Sequence, residues 1–490
     1  MFQPVSSKVS FPELERRILD FWREHDVFRR SVEERPESRT YVFYEGPPTA
    51  NGRPGLHHVL ARVFKDLFPR YKTMRGYRVP RKGGWDTHGL PVELEVEQEL
   101  GLRSKPEIEQ FGVEEFNRRC RESVFRYVRD WEAMTERIAF WIDMEDAYVT
   151  YANEYIETCW WILKRLWDAG LVYQDYRSTP HCPRCGTSLS SHEVAQGYRE
   201  DTVDPSVYVQ FRVLPDQPAP AELRLADGVP TFFLAWTTTP WTLPGNTALA
   251  VDPGAVYAVA EVESEAGARR LVLAEALLDA AVGEHRRVVS RLPGRALAGL
   301  RYEPLYEPRD WGERALMFGP EGRLVPAQGP EVPVRRVVTA DFVSLEDGTG
   351  MVHIAPAFGA EDFELGKAER LLYVQPVDLR GAMAPGSPWA GAFVKDADPR
   401  ILDDLQARGL LWRRATVTHT YPFCWRCDTP LLYYAKPSWY IRTTAVKESL
   451  LEGNGRIHWY PEHIQWGRYG DWLQSNVDWA ISRERYWGTP

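Results

Sequence analysis

Several things are scarce in this 490-residue sequence, and each scarcity removes a class of function. No uninterrupted apolar run reaches the roughly 18 residues that a membrane-crossing helix needs. The opening MFQPVSSKVSFPELERR lacks the basic-then-apolar order of a secretory signal. Positive charge is not in excess: 60 Lys and Arg face 69 Asp and Glu, a formal net charge of −9. That balance argues against a surface built wholly to trap polyanions, though basic residues can still gather on one face for RNA. A cytoplasmic protein with no membrane partner is the default. Cysteine is limited to six residues. Cys120 and Cys159 lie singly in helical patterns and read as packing; the other four form two Cys-x-x-Cys pairs. An apolar fraction of 44%, with 13% aromatics, is ample for burial and excludes a largely disordered chain.

The length predicts roughly two to four domains. Ser10-Phe11-Pro12-Glu13 reads as a capping box ahead of a helix with Leu14, Ile18, Phe21 and Trp22 on one stripe. A β-type run at Tyr41–Tyr44 meets a loop rich in breakers, then a helical pattern with Val59, Leu60, Val63, Leu67 and Tyr71 on one face. Tyr77–Glu95 predicts a short strand with a Gly-rich turn. A helical stretch is expected from about Val113 to Leu166. Strand, helix, strand and helices in that order read as the first half of a doubly wound α/β fold. From Tyr198 to about Val394 the texture changes to short alternating runs such as Val207–Val213, Thr231–Trp236, Ala248–Val251 and Tyr257–Val262. Pro/Gly turns separate them, which predicts a β-rich insertion. The aromatic texture returns near Tyr433. The last residues, DWAISRERYWGTP, have no cap or polar tail, so an incomplete chain is expected.

Four constellations carry chemistry. His57 and His58 fall at the mouth of a helix after a strand and a Gly/Pro loop, where free N–H groups and the helix dipole favour phosphate. Cys182-Pro-Arg-Cys185 and Cys424-Trp-Arg-Cys427 flank the β-rich insertion and form the ligand set of a structural four-cysteine zinc site; redox disulfides or free thiols are the alternatives. Asp86, in GWDTHGLP, suits an ammonium group in a cleft, or else a turn that satisfies its own backbone. Trp236–Asn246, a run of hydroxyls between tryptophans closed by Pro-Gly-Asn, could position a water and an ester. Downstream lie EDGTG, His353 and AFGAED. The bland reading of each is a turn or a capped helix start.

The order of residues around Pro54 resembles the first signature of class I aminoacyl-tRNA synthetases, usually written HIGH. Here it reads Gly55-Leu56-His57-His58, with the family's first His replaced by Gly55. GWDTHGLP resembles the isoleucyl branch closely, and the threonine run with EDGTG and AFGAED resembles the proofreading domain of the isoleucyl, valyl and leucyl enzymes. The resemblance spans essentially the whole chain. It implies a catalytic pair, His57 and His58, and ATP contacts from Pro48, Asn51, Gly52, Gly55, His57 and His58, with Mg²⁺ on the pyrophosphate. It further implies an isoleucine site from Gly46, Pro47, Asp86 and Trp487, and editing residues Thr237, Thr238, Thr239, Trp241, Asn246, His353 and Asp362.

The organisation so implied is an N-terminal helical segment at 1–40 and the first half of a Rossmann-type doubly wound catalytic domain at 41–180. A zinc-knuckle neck follows at 181–200 and 415–432, the editing domain at 201–395, and the start of the second catalytic half at 433–490. The expected activity is ATP-dependent attachment of L-isoleucine to tRNA(Ile), with hydrolysis of Val-tRNA(Ile), by a monomer. No KMSKS loop or anticodon-binding domain occurs before Pro490, so weak activation by the chain alone is expected. The rivals are a valyl or leucyl enzyme, a free-standing deacylase, and a zinc-knuckle RNA-binding module.

Overall fold

The computed structural model describes residues 8–490 apart from 50–51, 190, 264–266, 285, 313–314, 321 and 329–331. The chain divides into two compact units, Met1–Gly170 with Glu484–Pro490, and Leu171–Arg483.

The first unit is built on three parallel strands, Phe43–Tyr44, Arg81–Trp85 and Asp143–Val149, in that order across the sheet. Parallel neighbours cannot be joined by a tight turn, so each connection carries helix. Leu56–Met74 links the first pair; Leu90–Leu100, Lys105–Phe111 and Val113–Arg137 link the second. Trp85, Val92, Ile108, Phe116, Cys120 and Trp131 pack as one core. Because all three strands point the same way, their carboxyl ends open together into Glu45–Thr49, Asp86–His88 and Thr150.

Three local expectations change. The helix expected to run from Val113 to Leu166 stops at Arg137, and a second helix begins only at Asn153. Between them Ala139 takes a left-handed φ of 58° and the chain enters the third strand. That strand, DMEDAYV, lies at the sheet edge with a mostly half-exposed surface, so it never shows the strict alternation that marks a one-sided strand. Ser10 does stand at the N-cap of Phe11–Glu24, but its side chain makes no capping bond. The stripe on Leu56–Met74 faces outward: Leu60, Val63, Leu67 and Tyr71 are each more than half exposed.

The second unit is dominated by β-structure. A nine-stranded sheet runs in the order Arg287–Pro293, Val256–Val262, Arg269–Ala274, Thr231–Thr237, Met351–Ile354, Ala248–Val251, Arg336–Thr339. The long strand Tyr198–Arg212 joins it beside Thr231–Thr237 and pairs antiparallel with Leu411–Pro422. A separate ribbon pairs Val172–Cys182 with Leu432–Ile441, also antiparallel. Val207, Phe211, Phe233, Leu249, Val259 and Val272 are fully buried in its core. Among the described residues no helix is long and apolar enough to cross a membrane.

Candidate active sites and metal centre

At the carboxyl ends of the three parallel strands the backbone assembles a cleft. The Asp86 N–H donates to Pro48 O at 3.1 Å, and Thr49 Oγ1 donates to Asp86 Oδ2 at 3.2 Å. The Asp86 carboxylate thus hangs off the edge of the sheet with one oxygen held and its side chain half-buried. Trp487 closes one side: its indole N–H donates to Thr87 O at 2.6 Å, and its own carbonyl accepts from the Gly89 N–H at 3.0 Å. Glu93, fully sunk, accepts from the N–H groups of Tyr486 and Trp487 and pairs with Arg485 at 2.9 Å. Gly46 is exposed and Pro47 half-buried beside it. The buried Glu45 carboxylate pairs with Lys65 at 2.7 Å, and Tyr148 OH donates to Glu45 O at 2.6 Å. Neither Glu45 nor Lys65 belongs to a sequence motif, so nothing flagged them.

The histidine loop is anchored from behind. Trp131 donates its indole N–H to Gly52 O at 2.8 Å, and the His58 ring meets the Trp131 face edge-on at 4.5 Å. Gly55 is the N-cap of Leu56–Met74 with extended backbone, and its N–H donates to His58 Nδ1 at 2.8 Å. An Nδ1 that accepts places the ring proton on Nε2, leaving His58 a neutral donor. Burial pushes the His58 pKa below its ordinary value, and the charges of His57 and Arg62 add to that. His57 is exposed and its ring lies against His58, tilted by 43° with centroids 3.8 Å apart. Asn51 lies outside the described residues.

A second cluster forms in the other unit by sheet topology. Met351–Ile354 lies between Thr231–Thr237, its parallel neighbour, and Ala248–Val251, its antiparallel one. The threonine loop must therefore cross over the end of the strand that carries His353. Thr237 Oγ1 and Thr239 Oγ1 lie 3.3 Å apart, as do Thr239 Oγ1 and Thr242 Oγ1. Thr242 Oγ1 donates to Thr239 O at 2.8 Å and so accepts from His353 Nε2 at 2.9 Å. Burial lowers the His353 pKa to about 4, so the ring is neutral, and its Nδ1 has no partner among the described residues. Asp362, in the first turn of Ala360–Ala368, accepts from the N–H of Ala355, two residues beyond His353, at 2.8 Å. Burial pushes its carboxyl up to about 7.

Not every motif residue joins this network. The Asn246 amide is spent on Ala248 O and the Tyr302 hydroxyl, at 2.9 and 2.8 Å. Trp241 is buried in the core with its ring edge on Phe358. Thr238 is half-buried in the loop. Thr242, which makes the histidine contact, sat unmarked inside the motif.

Cys182, Cys185, Cys424 and Cys427 offer four sulfurs within 4.8 Å of one another. Cys182 and Cys185 each lie 3.5 Å from Cys427, far longer than a disulfide. A tetrahedron of sulfurs bound at zinc's usual distance has edges of about 3.8 Å, so the set fits such an ion. Hydrogen bonds among the sulfurs raise Cys182 and lower Cys424. The doublets meet because each lies where one antiparallel ribbon hands over to the other, at Cys182 and just after Pro422.

A family model described as tRNA synthetases class I (I, L, M and V) matches residues 17–490. A protein named "Isoleucine--tRNA ligase" from Dehalococcoides mccartyi is 53% identical over all of this chain and 48% of its own length. Proteins of the same name from Thermus thermophilus and Streptomyces coelicolor are 51% and 49% identical, again over all of this chain and 44% of theirs. This chain therefore spans about half the length of the curated relatives it matches. A solved structure described as "The crystal structure of GlLeuRS-CP1" overlaps 43% of this chain and 99% of its own at 15% identity and a TM-score of 0.32, too slight a likeness to carry an argument. With a family model matched across nearly every residue, this chain belongs to the class I tRNA synthetases of the I, L, M and V group.

Proposed function

We propose that this chain serves ATP-dependent attachment of L-isoleucine to tRNA(Ile) and hydrolyses Val-tRNA(Ile) at a second site. The observation that carries the reading is that one chain holds two chemically distinct sites. One is a cleft at parallel strand ends with a half-buried carboxylate, Asp86, and a neutral histidine at a helix mouth. The other is a chain of hydroxyls leading to a buried histidine. The relatives at 49–53% identity, all named as isoleucine–tRNA ligases, point to the same amino acid.

In the first site Asp86 binds the amino group of isoleucine, with Gly46, Pro47 and Trp487 around its side chain. An oxygen of isoleucine's own carboxylate attacks the α-phosphorus of ATP and pyrophosphate leaves, so the protein need only position the reactants and stabilise phosphoryl charge. His58, through Nε2–H, and the first N–H groups of Leu56–Met74 supply that charge stabilisation, with His57, Pro48, Asn51 and Gly52 lining the nucleotide. Mg²⁺ would neutralise the pyrophosphate oxygens. The strands and crossovers of this unit form the first half of a Rossmann-type domain.

A pocket separates isoleucine from valine by only about 1–3 kcal/mol, isoleucyl enzymes being the familiar case from which that range is drawn. A hydrolytic site corrects the residue of errors. There Asp362 holds the amino group and Thr237, Thr238 and Thr239 face the ester. Water adds to the ester carbonyl carbon, the bond to the ribose oxygen breaks, and that oxygen takes a proton from the water. Cys182, Cys185, Cys424 and Cys427 would hold zinc, which supplies a cross-link and, with four thiolates, keeps no open position for catalysis.

Asp86 gives the direct test. In the protein that carries this sequence, Asp86→Ala should raise the KM for isoleucine in ATP–pyrophosphate exchange by about a hundredfold, since a buried-edge carboxylate–ammonium bond contributes about 2–3 kcal/mol. An unchanged KM, or exchange driven better by valine or leucine, sinks the isoleucine assignment.

A further inference from the structure

The turn that carries the threonines is held by a residue far away in sequence. Pro240–Gly245 is a short 3₁₀ segment whose N-cap is Thr239. A threonine at that position ordinarily turns its hydroxyl back to accept one of the first free N–H groups. Thr239 does not: its side chain makes no capping bond and faces Thr237 and Thr242 instead. Pro240 has no N–H, so Trp241 bears the first one that needs a partner. Asp398, on the helix Val394–Ala407, supplies it: Oδ1 accepts from the Trp241 N–H at 2.8 Å.

Asp398 is 2% exposed and its second oxygen has no partner among the described residues. A buried carboxyl half-satisfied in this way is costly. Its neighbour Lys395 is committed elsewhere, to Asp204 at 2.7 Å, and His419 takes the other Asp204 oxygen at 3.0 Å. The contact to Trp241 is therefore the one hydrogen bond that the Asp398 side chain makes among the described residues.

We infer that Asp398 is a positioning residue for the hydrolytic site: by capping the turn from a remote helix, it frees the Thr239 hydroxyl to face the ester. This rests on the reading of the threonine cluster as a deacylation site. Burial holds the Asp398 carboxyl up at about 7. Both the ionised and the neutral acid offer Trp241 an accepting oxygen, so the cap persists on either side of that value.

The test is a double-mutant cycle on the full chain, with Val-tRNA(Ile) as substrate. Asp398→Leu keeps the branched shape, though bulkier, and removes the acceptor, so Thr239 swings back to cap Trp241. Its kcat for hydrolysis should fall about tenfold or more with KM unchanged, as loss of orientation does. Asp398→Asn keeps an accepting oxygen and should stay within about threefold of wild type. Thr239→Val added to Asp398→Leu should cost little further, because both act through one hydroxyl. Additive losses, or an asparagine variant as impaired as the leucine one, overturn the inference while leaving the deacylation site intact. A wild-type chain inert on the ester, with ordinary binding of the tRNA, overturns both.

Discussion

A single carboxyl shows how much environment decides at the residue scale. Asp362 is drawn up to about 7 by burial, whereas its proposed task, pairing with the ammonium group of a misplaced amino acid, needs it ionised. The sign follows directly: below about pH 7 the neutral acid prevails and holds the ammonium poorly, and above it the carboxylate does so well. Hydrolysis of Val-tRNA(Ile), measured as kcat/KM, should therefore climb through neutral pH and level off above it. His353, neutral down to about 4, contributes no inflection there. Asp362→Asn should flatten the profile at its low-pH level; a variant that keeps the inflection shows that another group controls it. The sequence made Asp362 visible because AFGAED is a motif, and it hid Asp398 because a lone acid on an amphipathic helix has no pattern. Thr242 was equally silent: which of the threonines meets His353 depends on which strand lies under the loop, and strand order is not written locally.

Elements show the same division. The runs at Thr231–Thr237, Ala248–Val251 and Val256–Val262, expected as alternating strands, are strands buried on nearly every residue, so their short apolar length between turns, rather than a strict period, made them legible. Asp143–Val149 was not, because an acidic edge strand buries too little to impose alternation. Its pairing also explains a glycine. Gly84 lies opposite Tyr148 across the strand pair, and a Cβ there would sit 2.3 Å from the tyrosine ring. The bare backbone lets Tyr148 lie across the strand and bond Glu45 O at the start of the loop proposed to hold the nucleotide. Gly84→Ala should thus push the ring away, destabilise the protein by about 1–3 kcal/mol as overpacking does, and weaken ATP binding with it. Calorimetry and exchange kinetics read the two effects. A variant with wild-type melting and wild-type KM for ATP shows that the ring relocates freely.

On the scale of the whole molecule, the informative feature is how the chain enters and leaves Leu171–Arg483. Val172 and Trp479 both pair with Ile441, one on each side of it. Entry and exit are therefore adjacent strands of a central third, about 10 Å apart at the usual strand spacing. A unit whose ends meet can be inserted into a loop of another fold without straining it; the Cys-x-x-Cys doublets mark the opposite end of the same ribbon, by Cys182 and ahead of Leu432. Expressed alone, Leu171–Arg483 should fold cooperatively, bind one zinc per chain and keep the hydrolytic activity, because both its core and its four sulfurs are internal to it. Removing the metal with a chelator should lower its melting temperature and loosen the ribbons at Cys182 and Cys424, since a four-sulfur cross-link joins those two turns. Recovery of a molten, metal-free polypeptide would mean that the fold depends on contacts from the rest of the chain; a folded unit indifferent to chelation would mean that the sulfurs act as ordinary buried thiols.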